Sequence, residues 1–151
     1  MIKILILCTG NSCRSQMAQG LLQALDAGLF VFSGGTQPAE RVNEMAVDVM
    51  REIGIDISSH VPTSVERYLD EYWDYVITVC GNARDTCPHF TGHVSRQLHI
   101  GFDDPSKATG SAAYVHGEFV RVRDEIRREM TRFYLTEIQH RTLPRCTCNH
   151  D

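Results

Sequence analysis

Three kinds of segment are missing from this chain of 151 residues, and each absence excludes a class of protein. No apolar run approaches the roughly 18 residues that a membrane-spanning helix needs, so we expect no membrane segment. The apolar stretch near the start, Ile2–Leu7, is too short for a signal peptide, and we therefore expect a cytoplasmic protein. No block of basic residues occurs and the net charge is −4, so no nucleic-acid partner is expected.

Internal repeats and linkers are also missing, which predicts a single domain. With 42% hydrophobic residues, the chain has enough apolar side chains for one core. In a reducing compartment, its six cysteines are more typical of reactive or metal-binding thiols than of structural disulfides. We expect residues 1–140 to form the domain and residues 141–151 to form a flexible tail that contains Cys146, Cys148 and His150.

Apolar runs of strand length alternate with segments of helical spacing. The predicted strands are Ile2–Leu7, Phe30–Ser33, Trp73–Val79 and Arg96–Ile100. The predicted helices follow residue 14, begin at Pro38, begin at Thr63 or Ser64, and cover Gly117–His140. Residues 80–94 are predicted to be irregular. This order predicts an α/β fold with a four-stranded parallel sheet and helices on both faces.

The first strand runs directly into a polar loop, Cys8-Thr9-Gly10-Asn11-Ser12-Cys13-Arg14-Ser15, and then into a helix. In such a loop the backbone N–H groups and the helix N-terminus attract a tetrahedral oxyanion, so we expect Thr9, Gly10, Asn11, Ser12, Cys13 and Arg14 to bind one. The guanidinium of Arg14 can hold two oxygens at once.

Each of the other side chains of this loop has an expected place. Cys8 lies at the mouth of the loop, where we expect its thiol to ionise easily. Ser15 could donate a hydrogen bond to that thiolate, and Asn11 can adopt a positive φ. Cys13 is expected to be structural, with its side chain turned away from the anion.

The carboxyl ends of parallel strands lie at one edge of a sheet, where ligands bind. Cys8 follows the first strand, Cys80 follows the third, and Asp103-Asp104-Pro105 follows the fourth. A thiolate held beside an anion-binding loop can attack a phosphate-like group while a carboxylic acid protonates the departing oxygen. Asp104 is the candidate acid because Pro105 favours an extended conformation for it, and Asp103 is the alternative.

These motifs resemble those of the low-molecular-weight protein tyrosine phosphatase superfamily. The stretch Cys8–Ala18 looks like the catalytic loop of that superfamily, and Asp104-Pro105 resembles its general-acid loop. Three further stretches, Val79–Pro88, Gly101–Pro105 and Phe119–Ile126, are more similar to the thioredoxin-coupled arsenate reductases within it. The resemblance extends from Ile2 to Tyr134, which is nearly the whole chain.

The resemblance implies a triple-cysteine mechanism, and we expect no bound cofactor or metal. Cys8 would attack arsenate, which phosphate or sulfate can mimic, and Asp104 would help a hydroxyl leave as water. Cys80 would attack the Cys8–arsenic adduct and release arsenite, and Cys87 would then form a disulfide with Cys80. Thioredoxin would reduce that disulfide.

The chain departs from the family pattern at two places. Family members that bind potassium carry acidic residues where this chain has Gln19 and Thr63, so no potassium site is expected. The tail, with Cys146, Cys148 and His150 and with His140 upstream, lies beyond the resemblance and could bind a soft metal or arsenite.

Two other functions remain open. The first is a low-molecular-weight phosphatase that acts on phosphotyrosine or small phosphoesters through a phospho-cysteine at Cys8. Such phosphatases usually place aromatic residues after the acid loop, where this chain has Ser106-Lys107-Ala108. The second is a non-enzymatic arsenic or metal-binding regulator that uses Cys80, Cys87 and the tail, against which the complete loop from Cys8 to Arg14 argues.

Overall fold

Four parallel strands form the centre of the computed structural model, which describes residues 1–142. The strands are β1 (Lys3–Cys8), β2 (Phe30–Gly35), β3 (Trp73–Thr78) and β4 (Val94–His99). Their order in the sheet is β2-β1-β3-β4, so β1 and β3 are the central strands. Every residue of β3 is buried, and so is every residue of β1 except Lys3, because helices cover both faces of the sheet.

The helices follow the strands in alternation. They are α1 (Arg14–Leu25), α2 (Glu44–Glu52), α3 (Gly81–Thr86), α4 (Ala112–Phe133) and α5 (Gln139–Thr142). Short 3-10 turns occur at Val65–Tyr68 and Pro105–Lys107, and a π-helical turn, Tyr134–Ile138, joins α4 to α5. The predicted fold class is confirmed. Within residues 1–142, none of the helices is long and apolar enough to cross a membrane.

The core holds the loop from Cys8 to Arg14 between rigid elements. Ile4, Leu5, Ile6 and Leu7 of β1 are completely buried, which fixes the strand that leads into the loop. The helix that leaves the loop, α1, packs against α4. At Gly20 of α1, a Cβ atom would lie 2.8 Å from the side chain of Ile57, so the close packing there requires glycine. The loop is therefore anchored at both of its ends.

Two local predictions were wrong. The helix predicted from Pro38 begins only at Glu44, because the Asn43 side chain accepts hydrogen bonds from the N–H groups of Met45 and Ala46 and caps it there. Residues 38–43 instead lie against the catalytic loop. The segment predicted to be irregular, 80–94, contains α3.

The predicted C-terminal helix begins five residues early, at Ala112, where the Ser111 side chain accepts a hydrogen bond from the Tyr114 N–H group. Its predicted end, His140, lies within α5, and the domain boundary at residue 140 stays a prediction. Cys146, Cys148 and His150 lie outside the described residues, so their proposed metal or arsenite binding stays a prediction.

Candidate active site

Five successive carbonyl groups of the loop, from Cys8 to Ser12, accept hydrogen bonds from outside the loop. In that order, the donors are the N–H groups of Thr36, Gln37 and Ala39, the side-chain amide of Gln16 and the N–H group of Asn43, at 3.2, 2.9, 2.8, 3.0 and 2.8 Å. In a planar trans peptide the carbonyl and the following N–H point in opposite directions, so these bonds turn the N–H groups of residues 9–13 to the other side. Within residues 1–142, the N–H groups of residues 10–13 donate to no other backbone group. They are available to an oxyanion.

The loop encloses a cavity of about 210 Å³, which is lined by residues 8–14 together with Asp104 and Ser106. A second cavity of about 580 Å³ adjoins it through Thr9, Arg14 and Asp104, and Cys80 lines its wall. The sequence-predicted nucleophile, cation and acid therefore surround one small space, as the shared strand edge predicts.

Asn11 has a φ of +50° and is completely buried. Its side-chain amide donates to Ser15 Oγ at 2.8 Å, and its side-chain oxygen accepts from the Thr63 N–H group at 2.9 Å. The positive φ predicted for Asn11 is confirmed. Ser15 contacts Asn11, and no hydrogen bond between Ser15 and Cys8 occurs within the described residues.

The side chains of Cys8 and Cys80 form a hydrogen bond with each other, and each residue is only 4% exposed. Cys80 Sγ also lies 3.3 Å from the Ala83 N–H nitrogen and 3.3 Å from Thr9 Oγ1. The hydrogen bond from Cys8 is the main cause that lowers the pKa of Cys80 to about 4, and the bonds from Thr9 and Ala83 act in the same direction against burial.

The opposite holds for Cys8, whose thiol was predicted to ionise easily. Its hydrogen bond to Cys80 and its burial raise its pKa, although the positive charge of Arg14 opposes them. In this arrangement the shared proton lies on Cys8 and the negative charge on Cys80, and an easily ionised Cys8 stays a prediction. The physical reason is that two adjacent thiols share one proton, and Cys80 is the thiolate that the neighbouring hydrogen-bond donors stabilise.

Cys87 lies at the other end of α3 and is half-buried, and it is a free thiol like Cys8, Cys13 and Cys80. Its Sγ donates to the Pro88 carbonyl at 3.6 Å, and burial raises its pKa. Cys87 therefore stays protonated and apart from Cys80 in this arrangement.

Arg14 and Asp104 face each other across the cavity. One guanidinium nitrogen of Arg14 donates to the Phe102 carbonyl at 3.1 Å and another lies 3.5 Å from Asp104 Oδ2. The other carboxylate oxygen of Asp104 accepts from the Ser106 N–H at 3.0 Å and from its hydroxyl at 2.6 Å. Asp103 is turned toward Arg121 of α4, 3.4 Å away, and is mostly exposed. This geometry favours Asp104 over Asp103 as the acid.

Cys13 is buried, and burial is the main cause that raises its pKa to about 12. Its thiol therefore stays protonated, and its structural role stays a prediction.

Gln19 donates to the Val31 carbonyl at 3.2 Å and accepts from the Ser33 hydroxyl at 2.6 Å, so both ends of its amide form hydrogen bonds with uncharged groups. Within residues 1–142, no group of three or more His, Cys, Asp or Glu side chains could hold a metal ion.

Sequence reasoning missed two pairs of residues that support the site. Gln16 holds the Asn11 carbonyl and is itself held by His60 Nδ1 at 2.9 Å, a contact that joins residues 44 positions apart. Asn82 donates to Thr9 Oγ1 at 2.9 Å. Asn82 could have been predicted if the sequence had indicated α3, because this helix brings the Asn82 side chain to the loop.

Known proteins are similar to this chain in sequence and in fold. Residues 3–143 match the low molecular weight phosphotyrosine protein phosphatase family. A protein of Bacillus licheniformis named arsenate reductase is 47% identical over 86% of this chain and 93% of its own length. One of Bacillus subtilis with the same name is 44% identical over the same shares.

A solved structure described as an arsenate reductase in the phosphate-binding state superposes with a TM-score of 0.74 at 30% identity, over 89% of this chain and 98% of its own. The similarity thus covers the sheet, the loop from Cys8 to Arg14 and the acid loop, within the matched residues 3–143. This chain belongs to the low molecular weight phosphotyrosine protein phosphatase family, and its similar relatives include proteins named arsenate reductases.

Proposed function

We propose that this chain reduces arsenate to arsenite, with Cys8 as the nucleophile, Cys80 and Cys87 as a disulfide relay, and thioredoxin as the reductant. The observation that carries the proposal is the position of Cys80 beside Cys8: the two residues follow neighbouring strands, and Cys80 Sγ lies 3.3 Å from Oγ1 of Thr9, the residue that follows Cys8. A phosphatase needs a nucleophile, an anion site and an acid, and water completes its reaction. Arsenate reduction needs two electrons, and a second thiol in contact with the nucleophile can supply them.

In the first step, the free N–H groups of the loop and Arg14 bind arsenate, and the Cys8 proton passes across the hydrogen bond to Cys80. Cys8 Sγ then forms a bond to arsenic, and an As–O bond breaks. Asp104 gives a proton to the departing hydroxyl, which leaves as water. The carboxyl group of Asp104 lines the same cavity as Cys8, which supports this role.

In the second step, Cys80 Sγ attacks Cys8 Sγ of the adduct. A Cys8–Cys80 disulfide forms, the S–As bond breaks, and its electron pair stays on arsenic, which is reduced from As(V) to As(III). The Cys80 proton goes to an oxygen of the departing arsenite. Little movement is needed, because Cys8 and Cys80 follow neighbouring strands and their side chains lie beside each other.

In the third step, Cys87 Sγ attacks Cys80, which restores the Cys8 thiol and leaves a Cys80–Cys87 disulfide. Residues 80 and 87 flank α3. Seven helical steps of 1.5 Å separate their Cα atoms by about 10.5 Å, whereas a disulfide allows roughly 4.4–6.8 Å. We therefore expect α3 to unwind in this step. Oxidation of Cys80 favours unwinding, because it removes the thiolate that accepts the Ala83 N–H bond.

A protein reductant must then reach this disulfide. Cys8 and Cys80 are each 4% exposed, whereas Cys87 is half-buried and borders an open cavity of about 580 Å³. Cys87 is thus the sulfur that thioredoxin would attack, through a mixed disulfide that its second thiol resolves. The cytoplasm, which the sequence predicts as the location, keeps such a reductant available.

The test compares Cys80→Ser and Cys87→Ser with the parent chain. Arsenite release is measured with thioredoxin and its reductase, and hydrolysis of a small phosphoester is measured on the same preparations. Both variants should lose thioredoxin-coupled arsenite release and keep any weak hydrolysis through Cys8. After one arsenate pulse, Cys87→Ser should hold a Cys8–Cys80 disulfide and Cys80→Ser only the Cys8 adduct. If both variants reduce arsenate as fast as the parent, the phosphatase becomes the better account.

A further inference from the structure

The side chains that surround the second cysteine form a chain of contacts from α3 to the catalytic loop. Asn82 Nδ2 donates to Thr9 Oγ1 at 2.9 Å, and Thr9 Oγ1 lies 3.3 Å from Cys80 Sγ. Asn82 is exposed on α3, and Cys80 is buried beneath it. Within residues 1–142, the Asn82 side chain forms no hydrogen bond with Cys8, Cys80 or Cys87, and its hydrogen bond to Thr9 links it to the loop.

The direction of the second contact follows from proton counting. A threonine hydroxyl carries one hydrogen and two lone pairs. Thr9 uses a lone pair to accept from Asn82, whose amide nitrogen can only donate. When Cys80 is a thiolate it has no hydrogen to donate, so it can only accept from Thr9, as it does from the Ala83 N–H group. The Thr9 hydrogen is therefore directed at Cys80 Sγ.

We propose that Asn82 is a positioning residue, which orients the Thr9 hydroxyl so that it donates to Cys80 and holds the second sulfur as a thiolate beside Cys8. The consequence for chemistry rests on the proposed function, in which Cys80 is the sulfur that releases arsenite. The positioning itself does not rest on the proposed function, because it concerns the thiols before arsenate binds. An aspartate at position 82 would have the same size but could only accept, and it would draw the Thr9 hydrogen away from Cys80.

The test measures the reactivity of Cys80 in the full chain without arsenate or thioredoxin. Trypsin places Cys80 alone in the peptide 68–84 and Cys87 in the peptide 85–96, so iodoacetamide labelling of each can be followed by mass spectrometry across pH. The variants are Asn82→Ala and Asn82→Asp. Alanine is the better helix former, so loss of α3 would not explain an effect of Asn82→Ala. Asp85→Asn, an exposed change on the same helix, is the matched control.

We expect the labelling inflection of Cys80 to rise by about half a unit to one unit in Asn82→Ala, which corresponds to the loss of one hydrogen bond to the thiolate. In Asn82→Asp it should rise further, because the added negative charge opposes the thiolate too. The labelling of Cys87 should not change in either variant, and Asp85→Asn should leave the Cys80 inflection in place.

A single-turnover measurement separates this role from a structural one. After an arsenate pulse at a pH near the labelling inflection of Cys80, formation of the Cys8 adduct should keep its rate in Asn82→Ala. Formation of the Cys8–Cys80 disulfide should slow by about two- to fivefold, because a smaller fraction of Cys80 is ionised. An unchanged Cys80 inflection in both variants overturns the positioning role, as does an equal shift in Asp85→Asn. If the inflection shifts as expected but no variant or parent reduces arsenate, the proposed function fails and the positioning role stands.

Discussion

Unwinding of α3 can be tested by making the helix harder to unwind. The helix begins at Gly81, which is exposed, and a Cβ atom there would meet nothing closer than 3.8 Å. Gly81→Ala is therefore sterically tolerated. Alanine stabilises a helical position relative to glycine by about 0.5–1 kcal/mol, because glycine loses more conformational entropy when it is ordered.

If unwinding must precede the attack of Cys87, this stabilisation lowers the unwound population by the same free energy. At about 1.4 kcal/mol per tenfold change, transfer of the disulfide from Cys8–Cys80 to Cys80–Cys87 should slow by about two- to fivefold. Formation of the Cys8–Cys80 disulfide should keep its rate, because Cys8 and Cys80 are in contact while α3 is folded.

The assay quenches the reaction with acid at intervals after one arsenate pulse and identifies the linked tryptic peptides. Peptides 4–14 and 68–84 joined together report the first disulfide, and peptides 68–84 and 85–96 report the second. Gly117→Ala in α4 is the matched control, since it is also an exposed helical glycine with open space around its Cα. Equal transfer rates in the two glycine variants and the parent would refute the requirement for unwinding.

Three further predictions concern the site and its support. Asp104→Asn should slow turnover by about 100- to 10,000-fold, and calorimetry should show phosphate binding nearly unchanged. If the variant turns over as fast as the parent, the acid is Asp103 or solvent. Gly35→Ala would place a Cβ atom 2.5 Å from the Thr9 carbonyl, so phosphate binding should weaken by roughly tenfold or more while the far-UV spectrum is kept, and unchanged affinity would contradict this contact.

The third concerns His60, whose pKa is lowered by burial, so the unfolded chain takes up its proton at a higher pH than the folded chain. Stability due to His60 should therefore be lost as pH falls below about 6.5. His60→Gln keeps an N–H donor for Gln16. It should flatten that part of the pH profile of the free energy of unfolding, which urea titrations measure. An equal slope in the parent and the variant would contradict the prediction.

Hydrophobic patterning was sufficient to predict the sheet. The run from Ile4 to Leu7 is fully buried as expected, and the loop that follows needs only local features to be recognised, namely a strand, a glycine and a helix start. The edge at which Cys8, Cys80 and Asp104 meet follows from the rule for parallel strands. These predictions rest on short-range sequence signals and on one topological rule.

The missed features depend on contacts between distant residues. Of the residues of α3 only Ala83 is buried, so no apolar period marks this helix, and its start is fixed by the side chain of Cys80. Pro38 and Asn43 are both plausible helix starts. The helix starts at Asn43 because the N–H groups of Ala39 and Asn43 form hydrogen bonds with carbonyl groups of the loop. The pKa of Cys8 could not be judged alone, because its main cause lies 72 positions away, at Cys80.

The loop itself does not separate a phosphatase from a reductase, because both need an anion site, a thiol and an acid. The difference lies at the end of β3. Strands β1 and β3 are hydrogen-bonded neighbours, and Leu7 pairs with Thr78, so the residues that follow these two strands emerge side by side. In the proposed mechanism, this places Cys80 beside the nucleophile Cys8, where its sulfur would attack the adduct before water does. Cys87, beyond α3, would then need only the unwinding of six residues to carry the disulfide away from the buried pair. We therefore expect the fate of the Cys8 adduct to depend on residue 80 rather than on the loop.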